Sequence, residues 1–181
     1  MIALNDGMGS GEEAENASSI AISLVEAFYK AGLKPNSVLA IANKILAFGS
    51  DDSFTAMDIG VVDLFTPKAD FIKIGSPYSF VITRNTVKII EGNSLPLGIL
   101  DEINPTVCSL DLAHGDIIVF LSDGITDAFQ SSSDLIEYLA EERALNPKAL
   151  ADNILEKALF LSGGIAKDDM TVFCVRICSR Y

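Results

Sequence analysis

A chain of 181 residues, 49% hydrophobic and 21% charged with 6 Pro and 13 Gly, is long enough for one domain with a sizeable core and fits neither a disordered nor a fibrous class. Asp and Glu outnumber Lys and Arg by 25 to 13, and the net charge of −12 repels phosphate backbones and anionic lipid, which excludes nucleic-acid binding. Three cysteines, Cys108, Cys174 and Cys178, form neither an even set nor a C-x-x-C pair, so a disulfide framework and a zinc site are both excluded and a cytoplasmic location fits best.

In chain order, Ile2-Ala3-Leu4 reads as the end of a strand that runs at once into the glycine-rich loop Asp6-Gly7-Met8-Gly9-Ser10-Gly11. Ser10 is placed to cap a helix in which Ala14, Ala17, Ala21, Leu24, Val25 and Phe28 recur at helical spacing as far as Gly32. A second helix starts near Pro35, buries Val38, Ile41, Ala42, Ile45 and Leu46, and stops at Gly49. From Ser53 to Gly92 the pattern is β-rich: residues 54–65, 71–75, 78–83 and 87–90 are expected as an antiparallel meander with a hairpin turn at Arg84-Asn85-Thr86. Ile117 to Leu121 is apolar on both faces, so its sheet must be covered on both sides. Helices over about 134–144 and from Asn146-Pro147 to Gly163 follow, and a last strand over 171–178 closes the chain. No run approaches the roughly 18 apolar residues of a membrane span, and the apolar start is too short for a signal peptide. The expected class is α+β: an antiparallel β-sandwich flanked by helical layers (α-β-β-α), with residues 1–181 forming a single domain.

Chemistry concentrates at three acidic corners on strand ends: Asp6-Gly7, Asp123-Gly124 and Asp168-Asp169. A short carboxylate beside a glycine carbonyl suits a hard cation such as Mg²⁺ or Mn²⁺, although a lone Asp-Gly is most often a turn. The ordered set Asp6-Gly7-Met8-Gly9-Ser10-Gly11, Ser94-Leu95-Pro96-Leu97-Gly98, Gly115-Asp116 with Leu121-Ser122-Asp123-Gly124, and Asp168-Asp169-Met170-Thr171-Val172 resembles the motifs of the metal-dependent protein serine/threonine phosphatases of type 2C, in the bacterial branch typified by stage II sporulation protein E. The resemblance spans nearly the whole chain. It implies two divalent ions, Mn²⁺ or Mg²⁺, with Asp6 bridging them, the Gly7 carbonyl on one, Asp123 and Asp168 on the other, and Asp169 behind the ligands. It also implies that water activated by the metals attacks phosphorus in line, without a covalent intermediate. The substrate implied is a phosphoserine or phosphothreonine protein of the anti-sigma-factor antagonist type. The family's acidic motif on a strand ahead of the first loop has no counterpart here. The chain is therefore expected to be a fragment lacking the first strands, feeble as an enzyme, with an exposed sheet edge that favours a homodimer.

The other candidates have plainer readings. Cys174 and Arg180 have the C-x₅-R spacing of cysteine-dependent phosphatases, but they lie on a strand at the chain's end, with no phosphate loop or following helix. Cys174 and Cys178 read as small core residues, and His114 as a surface turn residue. Asp116 reads as a stabiliser of that same turn, Gly75-Ser76-Pro77 as a turn, and Asp51-Asp52 and Glu141-Glu142 as solvated surface. The alternative function is a catalytically silent module that binds a phosphoprotein with the same fold. Three clustered carboxylates that repel one another without a cation favour the enzyme.

Overall fold

The computed structural model describes residues 1–9, 11–48, 54–142 and 146–178. Expectations placed on Ser10, Gly49, Asp51, Asp52 and Arg180 lie outside the described residues. The elements are β1 (Ile2–Gly7), α1 (Glu12–Lys30), α2 (Pro35–Ala47), β2 (Thr55–Val62), β3 (Lys68–Ile74), β4 (Ser79–Ile82), β5 (Val87–Ile90), β6 (Thr106–Asp111), β7 (Ile117–Leu121), α3 (Asp123–Thr126), α4 (Ser132–Glu141), α5 (Pro147–Leu161) and β8 (Val172–Arg176). They build two four-stranded antiparallel sheets, ordered β1-β2-β3-β6 and β5-β4-β7-β8. The expected single meander is thus split, because β2 and β3 belong to the first sheet and β4 and β5 to the second. Pro77 stands in the connection between β3 and β4 and has no N–H with which to extend the β3 ladder. Strand β6, alternately half-buried and exposed, was not expected from the sequence.

The chain divides into two compact units. The first comprises Met1–Val61, Phe71–Ser76 and Gly92–Cys108. Its core joins Ala17, Ala21 and Val25 of α1 and Val38, Leu39 and Leu46 of α2 to Met57 and Ile59 of β2 and Ile72 and Ile74 of β3. Alanines on α1 let that helix lie close to the strands, and each fully buried large aliphatic side chain contributes about 1.5–3 kcal/mol. Ile41 and Ile45 are 36% and 44% exposed, and Leu39 takes the expected inward place. The difference is one of phase: Leu39, Ala42, Asn43 and Leu46 form one stripe at the 3–4 residue spacing, which Ile41 and Ile45 flank.

Asn43 lies in that stripe, almost wholly buried, and satisfies its carboxamide completely. Its Nδ2 donates to the Leu100 carbonyl at 2.8 Å and the Asp101 carbonyl at 3.3 Å, while its Oδ1 accepts from the Gly98 amide at 2.9 Å. Leu97 in turn exchanges backbone hydrogen bonds with Thr55, at 2.9 and 3.1 Å. Helix α2 therefore fixes the Ser94-to-Gly98 segment against the start of β2. Burying an amide without these partners would cost on the order of 1–3 kcal/mol.

The second unit comprises Val62–Asp70, Pro77–Glu91 and Ser109–Tyr181. Strands β4 and β5 form the expected hairpin, closed by the Thr83 amide on the Thr86 carbonyl at 2.9 Å. Every residue of β7 is buried, as its unbroken apolar run requires. Ile117, Val119 and Leu121 pack with Phe80 against Ile125, Phe129, Leu135, Leu139, Leu150, Ile154 and Ala158, so α3, α4 and α5 share a core with one face of the sheet. Ser131 caps α4 by accepting from the Asp134 amide at 3.2 Å, and Asn146 caps α5 by accepting from the Lys148 amide at 2.9 Å. Glu142 is not simple solvated surface: it accepts from Asn153 Nδ2 at 3.2 Å and from the Tyr138 hydroxyl at 3.4 Å, joining α4 to α5. No helix among the described residues is long and apolar enough to cross a membrane.

Candidate functional site

Asp123 opens α3 directly after β7, and Asp168 precedes β8, the strand paired with β7. Ser122 locks the two corners together. Its amide donates to the Thr171 carbonyl at 3.0 Å, its hydroxyl donates to the Asp169 carbonyl at 2.7 Å, and the same oxygen accepts from the Thr171 amide at 2.9 Å. Gly124 then allows the closest approach: a Cβ there would stand 2.5 Å from the Asp169 carbonyl oxygen. A larger residue would force the corners apart.

Each aspartate is also braced at its own turn. Asp123 Oδ1 accepts from the Gly124 amide at 2.7 Å, and Asp168 Oδ1 accepts from the Asp169 amide at 2.8 Å. Burial raises the Asp123 carboxyl above its ordinary value, the Gly124 amide works against that rise, and the nearby charges of Asp168 and then Asp127 add to it. Two carboxylates held this close without a cation repel each other, and oxygen donors alone are what a hard divalent ion takes. Asp169 contributes its main-chain carbonyl to the clamp, while its side chain is exposed.

Asp6 and Gly7 end β1 in the first unit. Ile2 through Gly7 are not an isolated strand end: they pair along their length with β2, Asp6 opposite Ala56 and Gly7 opposite Thr55. A Cβ on Gly7 would come within 2.1 Å of the Ala14 carbonyl oxygen in the first turns of α1, so only glycine fits between strand and helix. The Thr55 hydroxyl lies 2.7 Å from the Asp6 carbonyl and 2.9 Å from Asn5 Oδ1. Helix α1 begins at Glu12 after Gly11, without a side-chain cap. Within each unit, no three His, Cys, Asp or Glu side chains among the described residues are grouped closely enough to hold a metal ion. Ser122, Thr55, Asn5 and Asn43 escaped the sequence reading. Asn43 had left a trace, a lone amide on the inward stripe of an apolar helix.

The remaining candidates fall where physical chemistry puts them. His114 is exposed in a turn, and Asp116 steadies that turn by accepting from the Ala113 amide at 2.8 Å. Cys178 is exposed and not part of a core, being past the end of β8, whereas Cys174 packs partly buried against the second core. Burial pushes the Cys174 thiol up to about 12, the opposite of what a thiolate nucleophile needs. Iodoacetamide at pH 8 should therefore alkylate Cys178 and leave Cys174 untouched, as peptide mass spectrometry would show; modification of both at equal rates would refute the assignment. The same elevation makes stability fall as pH rises above about 8.5, because the unfolded thiol ionises there while the folded one keeps its proton.

The profile of the family described as Stage II sporulation protein E (SpoIIE) matches residues 1–178. The chain belongs to that family. Stage II sporulation protein E of Bacillus subtilis (strain 168) is 29% identical over 180 residues, which cover 97% of this chain and 22% of the relative. Phosphoserine phosphatase RsbU of the same organism is 25% identical over 183 residues, 97% of this chain and 55% of RsbU. The chain thus spans about a fifth of the length of the first of these relatives and about half of the second. Among solved structures, the PP2C phosphatase domain of Bacillus subtilis SpoIIE with a fragment of its regulatory domain matches with a TM-score of 0.88 at 29% identity, over 97% of this chain and 53% of that one. Serine/threonine phosphatase Stp1 from Staphylococcus aureus matches with a TM-score of 0.79 at 16% identity, over 98% and 83% of the two chains, and shares the fold. The two antiparallel sheets and their helices are the PP2C phosphatase fold, as the motifs imply.

Proposed function

We propose that this chain is the phosphatase part of a SpoIIE-family protein, acts in the cytoplasm, and hydrolyses phosphoserine or phosphothreonine on a signalling protein of the anti-sigma-factor antagonist type. The carboxylates of Asp6, Asp123 and Asp168 and the Gly7 carbonyl are the residues that would hold Mn²⁺ or Mg²⁺, two ions in a complete site. Bound there, divalent ions supply an activated water and neutralise phosphate charge. The protein's own part is to hold carboxylates at fixed strand ends before any cation arrives, which lowers the reorganisation needed on binding.

The observation that supports this reading best is the Ser122–Asp169–Thr171 clamp with Gly124. It keeps Asp123 and Asp168 in one acidic corner despite their repulsion, which a bound cation would relieve. The name of RsbU, a phosphoserine phosphatase, supports the substrate class. In the deciding experiment, a phosphoserine peptide is incubated with the chain in Mn²⁺, in Mg²⁺ and in EDTA. Phosphate release should require the metal, and release undiminished in EDTA would overturn the mechanism.

A further inference from the structure

We infer that the connection from the end of α5 to the Asp168 corner is a docking surface for the polypeptide around a phosphoserine: Phe160, Leu161 and Ile165 receive apolar side chains that flank it, and Lys167 draws in its phosphate. The inference rests on the proposal that this corner belongs to a phosphatase site. Phe160, Leu161 and Ile165 are 76%, 43% and 72% exposed, although large apolar side chains gain from leaving water. Singly exposed apolar residues are ordinary on a protein surface, but three within six positions, next to a polar site, mark a surface made to be covered. Ile165 stands three residues before Asp168, a reach of at most about 11 Å, so a peptide with its phosphate at the corner has its neighbouring residues over this segment.

The segment is shaped in advance. Gly163 and Gly164 have φ of 73° and 83°, and a Cβ on either would meet no atom within 4 Å. Space is open there, so it is the left-handed backbone that requires glycine. The amides of Ser162, Gly163 and Gly164 close the last turn of α5 on the carbonyls of Ala158, Phe160 and Leu159 at 3.0, 3.1 and 2.8 Å, and the far end of the connection is held by Ser122 on the Asp169 carbonyl. Lys157 Nζ lies 5.8 Å from the centre of the Phe160 ring and 5.9 Å from that of Tyr138, so the Phe160 ring is steadied on one side and stays open to water. An apolar platform fixed before binding loses little freedom when it is covered. Charge selects the occupant. A net charge of −12 opposes a second copy of this chain, yet Lys167 is exposed beside Asp168 and, among the described residues, its ammonium has no carboxylate partner, whereas Lys30 and Lys148 are tied to Glu26 and Asp152. That free cation attracts a phosphoserine dianion. The partner that fits is a phosphoprotein with apolar residues beside its phosphoserine.

The experiment uses two phosphoserine peptides, one flanked by Leu and Ile and the other by Gly and Ser, together with their non-hydrolysable phosphonate analogues. In Mn²⁺ the wild-type chain should show about tenfold higher kcat/KM on the apolar-flanked peptide, carried by KM. Phe160→Ser combined with Ile165→Ser should bring that ratio close to one. Both positions are exposed, and either single variant should already lower the ratio. Lys167→Gln should raise KM for both peptides about threefold at low salt and hardly at all at high salt. Fluorescence anisotropy of the phosphonate peptides should show the same difference of about tenfold in affinity, again lost in the double variant. Equal affinity of the wild-type chain for the two phosphonates, or a preference that survives in the double variant, would overturn the inference. So would self-association in sedimentation velocity that the double variant abolishes, since the patch would then belong to a second copy. p-Nitrophenyl phosphate, which has no flanking residues, separates the two levels. If the wild-type chain releases no phosphate from it in Mn²⁺, the phosphatase reading falls, while the anisotropy ratio still judges the docking surface.

Discussion

Asp123→Asn should abolish Mn²⁺-dependent hydrolysis, lowering kcat/KM by at least about 100-fold, while leaving the fold intact. Asparagine has nearly the same shape, and its Oδ1 can still accept from the Gly124 amide, so the α3 turn survives. What it loses is the charge that a cation needs. In the metal-free chain the substitution should not lower the melting temperature, since it removes a carboxylate disfavoured by burial and by the charge of Asp168. Loss of activity together with a retained or raised melting temperature separates a ligand from a structural residue. By contrast, Ser122→Ala should lower both, because the clamp on the Asp169 carbonyl and the Thr171 amide is structural. Equal Mn²⁺ affinity in wild type and Asp123→Asn would remove Asp123 from the ligand set.

How much of this was legible beforehand depended on the range over which each feature acts. Helices α1, α2 and α5 and strand β7 were readable because periodicity, Pro35, Pro147 and an unbroken apolar run are local signals. Asp6-Gly7 and Asp123-Gly124 were readable because a glycine beside an aspartate marks the end of a strand, and Asp168-Asp169 because it stands just ahead of an apolar one. Strand β6 was not: Thr106 to Asp111 is alternately half-buried and exposed, so its pattern is too weak to stand out from a loop. The division of the β-rich stretch into two sheets was also hidden, since pairing partners are chosen by tertiary contact. Gly124 illustrates the limit well. The sequence shows a glycine at a turn, but only the backbone of Asp169 lying against it explains why no side chain fits.

Lys73→Met should cost about 3–5 kcal/mol of folding stability, the largest effect expected from a substitution outside the acidic corners. Lys73 and Asp58 lie at alternate positions to Ile72, Ile74, Met57 and Ile59, on the face of the first sheet turned away from α1 and α2. Both are almost wholly buried, and the ammonium donates to Asp58 Oδ2 at 2.5 Å. Gly92 packs on the stem of this lysine, where a Cβ would stand 2.4 Å from Lys73 Cβ, and the Ser94 hydroxyl donates to the Lys73 carbonyl at 2.6 Å. The lysine is thus held along its length. Burial nevertheless holds its ammonium below the ordinary lysine value, and the charge of Asp58 only partly offsets that. An ion pair in this balance adds little net stability over an apolar pair, but losing one partner strands the other charge in the interior. Urea unfolding of Lys73→Met, Asp58→Leu and the double variant tests the balance. Each single variant should be strongly destabilised, and the double should recover to within about 1–2 kcal/mol of wild type. If the double variant instead loses the sum of the two singles, the charges are not acting as a pair, and each side chain is held there by its own separate contacts.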